Sequence, residues 1–126
     1  EQLAYPVDLK TDDRGWLFEL IKSPHAGQIF VSRTRPGITR GNHYHDTKIE
    51  KFCVIQGEGL IRFRHVLGGE VIEYPVSDRA IRIVDIPPGY THSIENTGST
   101  DLLTLFWANE IFDPQHPDTC FEKVLP

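Results

Sequence analysis

Methionine is missing from these 126 residues, and cysteine occurs only twice, at Cys53 and Cys120. Two thiols this far apart, with no CxxC pair, argue against a disulfide framework and fit a reducing, cytoplasmic setting. One is expected as a buried core thiol and the other as a tail thiol. No apolar run approaches the roughly 18 residues of a membrane span, so no membrane partner is expected. The segment from Glu1 to Lys10 lacks the basic-then-apolar order of a signal peptide. Basic charge is also scarce: 13 Lys and Arg stand against 18 Asp and Glu, for a net charge of −5. That argues against nucleic acid as a partner but leaves room for a local basic pocket around a small phosphorylated ligand. No window holds a helical period of useful length, and there is no internal repeat or low-complexity tract. The chain opens on Glu1 rather than Met, which fits a lost tag or one domain cut from a longer protein.

What remains is a chain with 39% hydrophobic and 25% charged residues. That is ordinary globular composition, at a length that allows one domain, residues 1–126, around one core. Short β-rich segments alternate with Gly and Pro punctuation. Strands are expected at 29–33, 51–55, 60–66, 70–74, 81–86 and 102–107, with Gly68-Gly69 as a hairpin turn. Asp12-Asp13-Arg14-Gly15 reads as a turn before a mixed segment, 16–21. The tail, 112–119, holds two Pro-containing pairs and should be irregular and draped over the body. Many short strands with this punctuation predict an all-β sandwich or barrel.

Two ordered motifs carry the chemistry. The first is Gly37-x5-His43-x-His45-x4-Glu50-x6-Gly57; the second is Pro87-x-Gly89-x2-His92-x3-Asn96. His43 and His45, two apart on a strand, project from one face. The turn Asp46 to Ile49 returns the chain so that Glu50, on a neighbouring strand, faces the same interior. His92 follows a Pro-Gly turn. Three imidazoles and one carboxylate then converge, a donor set that suits Zn, Fe, Mn or Ni and is too rich in nitrogen for Ca or Mg. His25, His65 and His116 have no such company and are expected in loops or at the core edge.

These are the two cupin motifs in order, and they resemble that family's metal-binding signature in all but one position. Ile81 stands where the second motif usually begins with glycine. The resemblance implies a jelly-roll barrel, the double-stranded β-helix, and cupins commonly pair as dimers through their sheets. The segments 12–19 and 40–44 also resemble those around the active site of dTDP-sugar 3,5-epimerases. That likeness implies Arg14 and Arg40 toward nucleotide phosphates and Glu19 toward the nucleotide or sugar. Those epimerases lack the second His and the Glu, and they work without metal.

A broader likeness runs through 36–48, 50–52, 59–64, 84–92, 107–110, 112–114 and 117–119. It is similar to the C-terminal cupin domain of the CapF/WbjC family of bacterial polysaccharide enzymes. The resemblance implies a zinc-binding domain that inverts C3 of a UDP-linked 4-keto-6-deoxy-N-acetylhexosamine. It also implies an N-terminal NAD(P)-dependent reductase domain lying outside this sequence. Within two residues of a metal ligand, Lys48 and Tyr90 are the candidate bases. Lys48 competes with a solvated turn residue and Tyr90 with core packing. Trp107 is read as barrel wall or as a sugar-stacking ring. Two other functions stand beside the epimerase: a metal-dependent dioxygenase, and a non-catalytic module that binds a sugar or holds a dimer together.

Overall fold

In the computed structural model, residues 3, 5, 6 and 8–125 are described; residues 1, 2, 4, 7 and 126 of the expected 1–126 domain lie outside them. Eleven strands form among these residues, with no helix: β1 Lys10–Asp12, β2 Gly15–Ser23, β3 Gly27–Thr34, β4 Thr39–Tyr44, β5 Glu50–Gln56, β6 Glu58–His65, β7 Ile72–Ser77, β8 Ile83–Ile86, β9 Tyr90–Asn96, β10 Leu102–Ala108 and β11 Cys120–Phe121. One sheet has the order β1-β2-β3-β10-β5-β8 and the other β11-β4-β9-β6-β7. Every pairing is antiparallel. The inner faces enclose Phe52, Val54, Ile61, Phe63, Val84, Ile86, Ile94 and Leu102. The period of two sets this division: on β5, Glu50, Phe52 and Val54 are buried while Lys51 is exposed.

The fold is the expected all-β cupin barrel, with three corrections. Residues 16–21 are not a mixed segment. They belong to β2, which pairs with β1 around the Asp13-Arg14 turn and then with β3. Gly68-Gly69 lies in a longer β6–β7 connection, with β7 beginning only at Ile72; both glycines take positive φ. The tail is irregular across 112–119, as expected, but then forms β11 against β4.

Cys53 is half-buried rather than in the core, because the inward positions of β5 are its even-numbered ones. Its outward face is part of an apolar row. Phe18, Val31, Leu105, Cys53 and Ile83 stand side by side across five strands, and Ile83 is 64% exposed. Trp107 lies on the same outer face, donating from Nε1 to the Ala26 carbonyl, so it is barrel wall.

No helix among the described residues is long and apolar enough to cross a membrane.

Candidate metal centre and ligand cavity

A β-bulge aims the first ligand. Arg40 sits opposite Ile94 and His43 opposite His92, with the register slipping between Gly41 and His43. Arg40 and His43 are three residues apart, so on a regular strand they would face opposite sides. The extra residue turns both inward. Gly41 and Asn42 take φ of 103° and 61° to make this bulge. A side chain at Gly41 would also meet the His92 carbonyl oxygen at 2.7 Å.

His45 follows β4, His92 lies on β9 and Glu50 opens β5. Glu50 therefore arrives from the facing sheet, not from a strand beside β4; it is the inner faces of the two sheets that bring it to the histidines.

The four ligand atoms of His43, His45, Glu50 and His92 lie within 4.8 Å of one another, the last three buried. Backbone acceptors hold two of the imidazoles. His45 Nδ1 donates to the Asp118 carbonyl at 2.7 Å, and His92 Nδ1 to the Tyr90 carbonyl at 3.1 Å. Each Nε2 is thereby turned toward the cluster, the usual outer-shell arrangement of a metal-binding His. His92 Nε2 is buried and makes no hydrogen bond, although Glu50 Oε1 is 3.3 Å away. An orphaned imidazole nitrogen amid two further imidazoles and a carboxylate fits a divalent transition ion.

The charges agree. Burial, then the neighbouring His92 and His45, push His43 down to about 4, so it is a neutral ligand at pH 7. Burial opposes ionisation of Glu50, but His45 and His92 outweigh it and hold the carboxyl well below the carboxylate range. Burial also opposes charge on His45; its 2.7 Å hydrogen bond to Glu50 Oε1 wins and raises it.

The turn between His45 and Glu50 is pinned from the tail. The Asp118 carboxylate accepts from the backbone N–H groups of Asp46, Thr47 and Lys48 at 2.8, 3.1 and 3.0 Å, and from the Thr47 hydroxyl at 3.0 Å. β11 pairs Phe121 with His43, and Arg64 donates to the Val124 and Lys123 carbonyls. The draped tail was expected from sequence, but neither the Asp118 contacts nor the β11 pairing was. Asp118 entered only as part of the irregular tail and of the family likeness.

The cluster opens onto a cavity of about 210 Å³ whose wall includes Arg14, Arg40, His43, Glu50, His92 and Thr104. Arg40 donates from Nε to the Thr34 hydroxyl at 2.8 Å and from a terminal nitrogen to the Arg33 carbonyl at 3.0 Å. Burial and then the nearby Arg14 lower its affinity for a proton. Arg14 is held by Asp12, whose carboxylate accepts from Nε at 3.1 Å and a terminal nitrogen at 2.6 Å.

Glu19 and Lys48 line an adjoining chamber of about 240 Å³ that shares Leu17, Glu50 and Phe106 with the first. Glu19 accepts from Gln28 Nε2 at 2.7 Å. Lys48 is not a solvated turn residue. Its side chain is buried, with Nζ 5.4 Å from the centre of the Phe112 ring, because the pinned turn tips it under the tail. Tyr90 is placed apart from the cavity wall, its ring edge-on to Phe63 and His65. His65 is half-buried there, and His25 and His116 are exposed loop residues, as expected.

Residues 10–120 match the family described as polysaccharide biosynthesis C-terminal domain. A curated relative, the UDP-2-acetamido-2,6-beta-L-arabino-hexul-4-ose reductase of Pseudomonas aeruginosa, is 40% identical over 119 residues, covering 94% of this chain and 32% of its own. The crystal structure of the capsular polysaccharide assembling protein CapF from Staphylococcus aureus superposes with a TM-score of 0.95 at 55% identity, over 97% of this chain and 33% of that one. This chain thus spans about a third of the length of both relatives. Oxalate decarboxylase from Lactobacillus farciminis, at 17% identity and a TM-score of 0.71 over 82% of this chain and 31% of its own, shares the fold alone. The chain belongs to the polysaccharide biosynthesis C-terminal domain family, as a cupin of the kind found in CapF.

Proposed function

We propose that this chain is a metal-holding nucleotide-sugar epimerase of polysaccharide precursor synthesis. It inverts C3 beside the 4-keto group of a UDP-linked 4-keto-6-deoxy-N-acetylhexosamine. The observation that carries this reading is one cavity whose wall holds three members of the His3Glu cluster, His43, Glu50 and His92, together with two guanidinium groups, Arg14 and Arg40. A cation pair of this kind suits a diphosphate, and a buried ligand cluster suits the polar end of the sugar. The relatives agree in kind. One is named a reductase of a UDP-linked hexul-4-ose and the other a capsular polysaccharide assembling protein.

A proton at C3 is acidic because the neighbouring ketone takes up the electron pair. Inversion requires a group that removes this proton, a group that returns one from the opposite face, and positive charge beside the ketone oxygen. A divalent cation on His43, His45, Glu50 and His92, with zinc the leading candidate over iron, manganese and nickel, supplies positive charge there when bound, or braces the two sheets if the four ligands fill it. Lys48 is the leading candidate for proton exchange: its Nζ makes no hydrogen bond among the described residues, and the residue lines the chamber beside the cluster. Arg14 and Arg40 neutralise the diphosphate, and Glu19, oriented by Gln28, accepts from a ribose or sugar hydroxyl.

The same reading makes the chain one domain of a longer reductase–cupin protein, or the partner of a separate reductase, working in the cytoplasm. It forms a homodimer by covering the outer apolar row from Phe18 to Ile83.

Solvent deuterium should enter C3 of the UDP-4-keto sugar when metal-loaded protein is added, followed by NMR. Absence of exchange with folded, metal-loaded protein would overturn the epimerase. Oxygen uptake by an iron-loaded form would instead favour the dioxygenase.

A further inference from the structure

Three buried side-chain atoms lack a hydrogen-bond partner among the described residues: Arg33 Nε, His92 Nε2 and Thr104 Oγ1. Arg33 Nε is 3.3 Å from Asp101, and His92 Nε2 belongs to the ligand cluster. Thr104 Oγ1 has no such account. Thr104 is 2% exposed, in the middle of β10, and it lines the metal cavity. Directly across the ladder stands Ser32, also buried and also lining the cavity. Leu17, Phe52, Ile94 and Phe106 line it too. Two hydroxyls thus stand side by side among apolar side chains.

A hydroxyl buried without a partner destabilises the fold that carries it. Valine would fill the same volume and meet the apolar neighbours without that cost. The Thr104 side chain lies in the cavity wall. Its unmet hydroxyl is screened from solvent in the ligand-free protein, and rotation about χ1 would turn it toward the cavity. The charged groups of a ligand are already provided for by the guanidinium pair and the histidine cluster. We propose that Thr104, assisted by Ser32, is a specificity-determining contact for a neutral oxygen of the sugar, either a hydroxyl or the acetamido carbonyl. This assignment rests on the nucleotide-sugar reading and deepens it. Uncharged donors on the barrel wall recognise the sugar, while the diphosphate is held by charge.

Thr104→Val and Thr104→Ser separate the possibilities, with UDP and UDP-N-acetylglucosamine as probes in titration calorimetry of the metal-loaded protein. Thr104→Val should melt at the same temperature as the wild type or higher, because it removes an unmet hydroxyl. It should bind UDP unchanged and UDP-N-acetylglucosamine about tenfold more weakly. Thr104→Ser should stay within about twofold of the wild type for both. Equal affinity of the wild type and Thr104→Val for the sugar nucleotide would overturn the assignment while leaving the nucleotide-sugar reading intact. So would a markedly lower melting temperature in the ligand-free valine variant. Failure of the wild type to bind either nucleotide would overturn that reading and this assignment together.

Discussion

Removing the Asp118 carboxylate tests whether the tail preorganises the metal ligands. The carboxylate holds three backbone N–H groups and one hydroxyl at 2.8 to 3.1 Å, all within the turn between His45 and Glu50. Burial opposes its ionisation, but those N–H donors prevail and hold it at about 2 instead of 3.8. The site is largely solvated, so each contact contributes well under the value of a buried charged bond; about 2 kcal/mol for the set is reasonable. Asp118 also has φ of 48°, which alanine tolerates less well, adding about 1 kcal/mol. Asp118→Ala should therefore lose roughly 3 kcal/mol, or on the order of 10 °C in melting temperature for a domain of this size. Asp118→Asn keeps one acceptor and tolerates the left-handed backbone, so it should lose about half as much.

The backbone carbonyl of this residue orients His45. Asp118→Ala keeps that carbonyl but frees the tail that positions it, so metal binding should weaken, by less than the roughly 10- to 100-fold that follows outright loss of an outer partner. Thermal unfolding in excess chelator measures the first effect, and competition with a chromogenic chelator measures the second. The sign with pH follows from the depressed carboxyl. Its contribution is complete above about 3.8 and disappears as pH falls toward 2. Asp118→Ala should accordingly lie well below the wild type at pH 7, and at pH 2 the gap should shrink to the contribution of the backbone conformation, about 1 kcal/mol, which does not titrate. If Asp118→Ala matched the wild type in both melting temperature and metal affinity at pH 7, the tail would be a passive cover.

Lys48→Met keeps the buried alkyl stem and removes the amine. It should hold a full equivalent of metal by elemental analysis yet lose deuterium exchange at C3 by about 100-fold or more; unchanged exchange would exclude Lys48. Gly41→Ala places a methyl against the His92 carbonyl oxygen at a backbone angle of 103°. It should cost more than about 2 kcal/mol and weaken metal binding, both read from melts with and without metal. His45 is raised by Glu50 in the metal-free protein, so metal must displace its proton. Affinity should increase as pH climbs through and above the usual histidine range, with proton release visible when calorimetry is run in buffers of different ionisation enthalpy. Leu105→Glu, in the centre of the outer apolar row, should yield a monomer in light scattering if that row is the dimer face.

The ligands were legible because a metal site needs particular atoms at particular intervals, and a strand's period of two writes those intervals into the chain. His43-x-His45 is such a case. What was hidden is what the period of two cannot express. The bulge at Gly41-Asn42 makes Arg40 and His43 share a face despite odd spacing, and only the Gly-Asn pair hinted at it. β2 was hidden because an exposed stretch with a register slip between Glu19 and Ile21 breaks alternation. Lys48 looked like turn solvent from its neighbours in sequence. Its burial comes from Phe112 and Asp118, more than sixty residues away, and no local pattern reports such contacts.

This division bears on how the site works. The four candidate ligands come from two facing sheets, so an ion bound there would fasten β4 and β9 to β5 across the barrel. The tail fastens the same region from outside, through Asp118 on the turn and β11 on β4. With the ligand positions held from both sides, the cavity wall carries little of the stabilising load there. It can include groups that packing alone would disfavour: an unmet threonine hydroxyl and the Arg40 guanidinium, whose charge burial opposes. Each is destabilising without a ligand and complementary to an anionic, oxygen-rich one. A sugar nucleotide should therefore raise the melting temperature more than metal-site occupancy alone accounts for. The increment should shrink in Thr104→Val, whose ligand-free form begins with less unmet polarity.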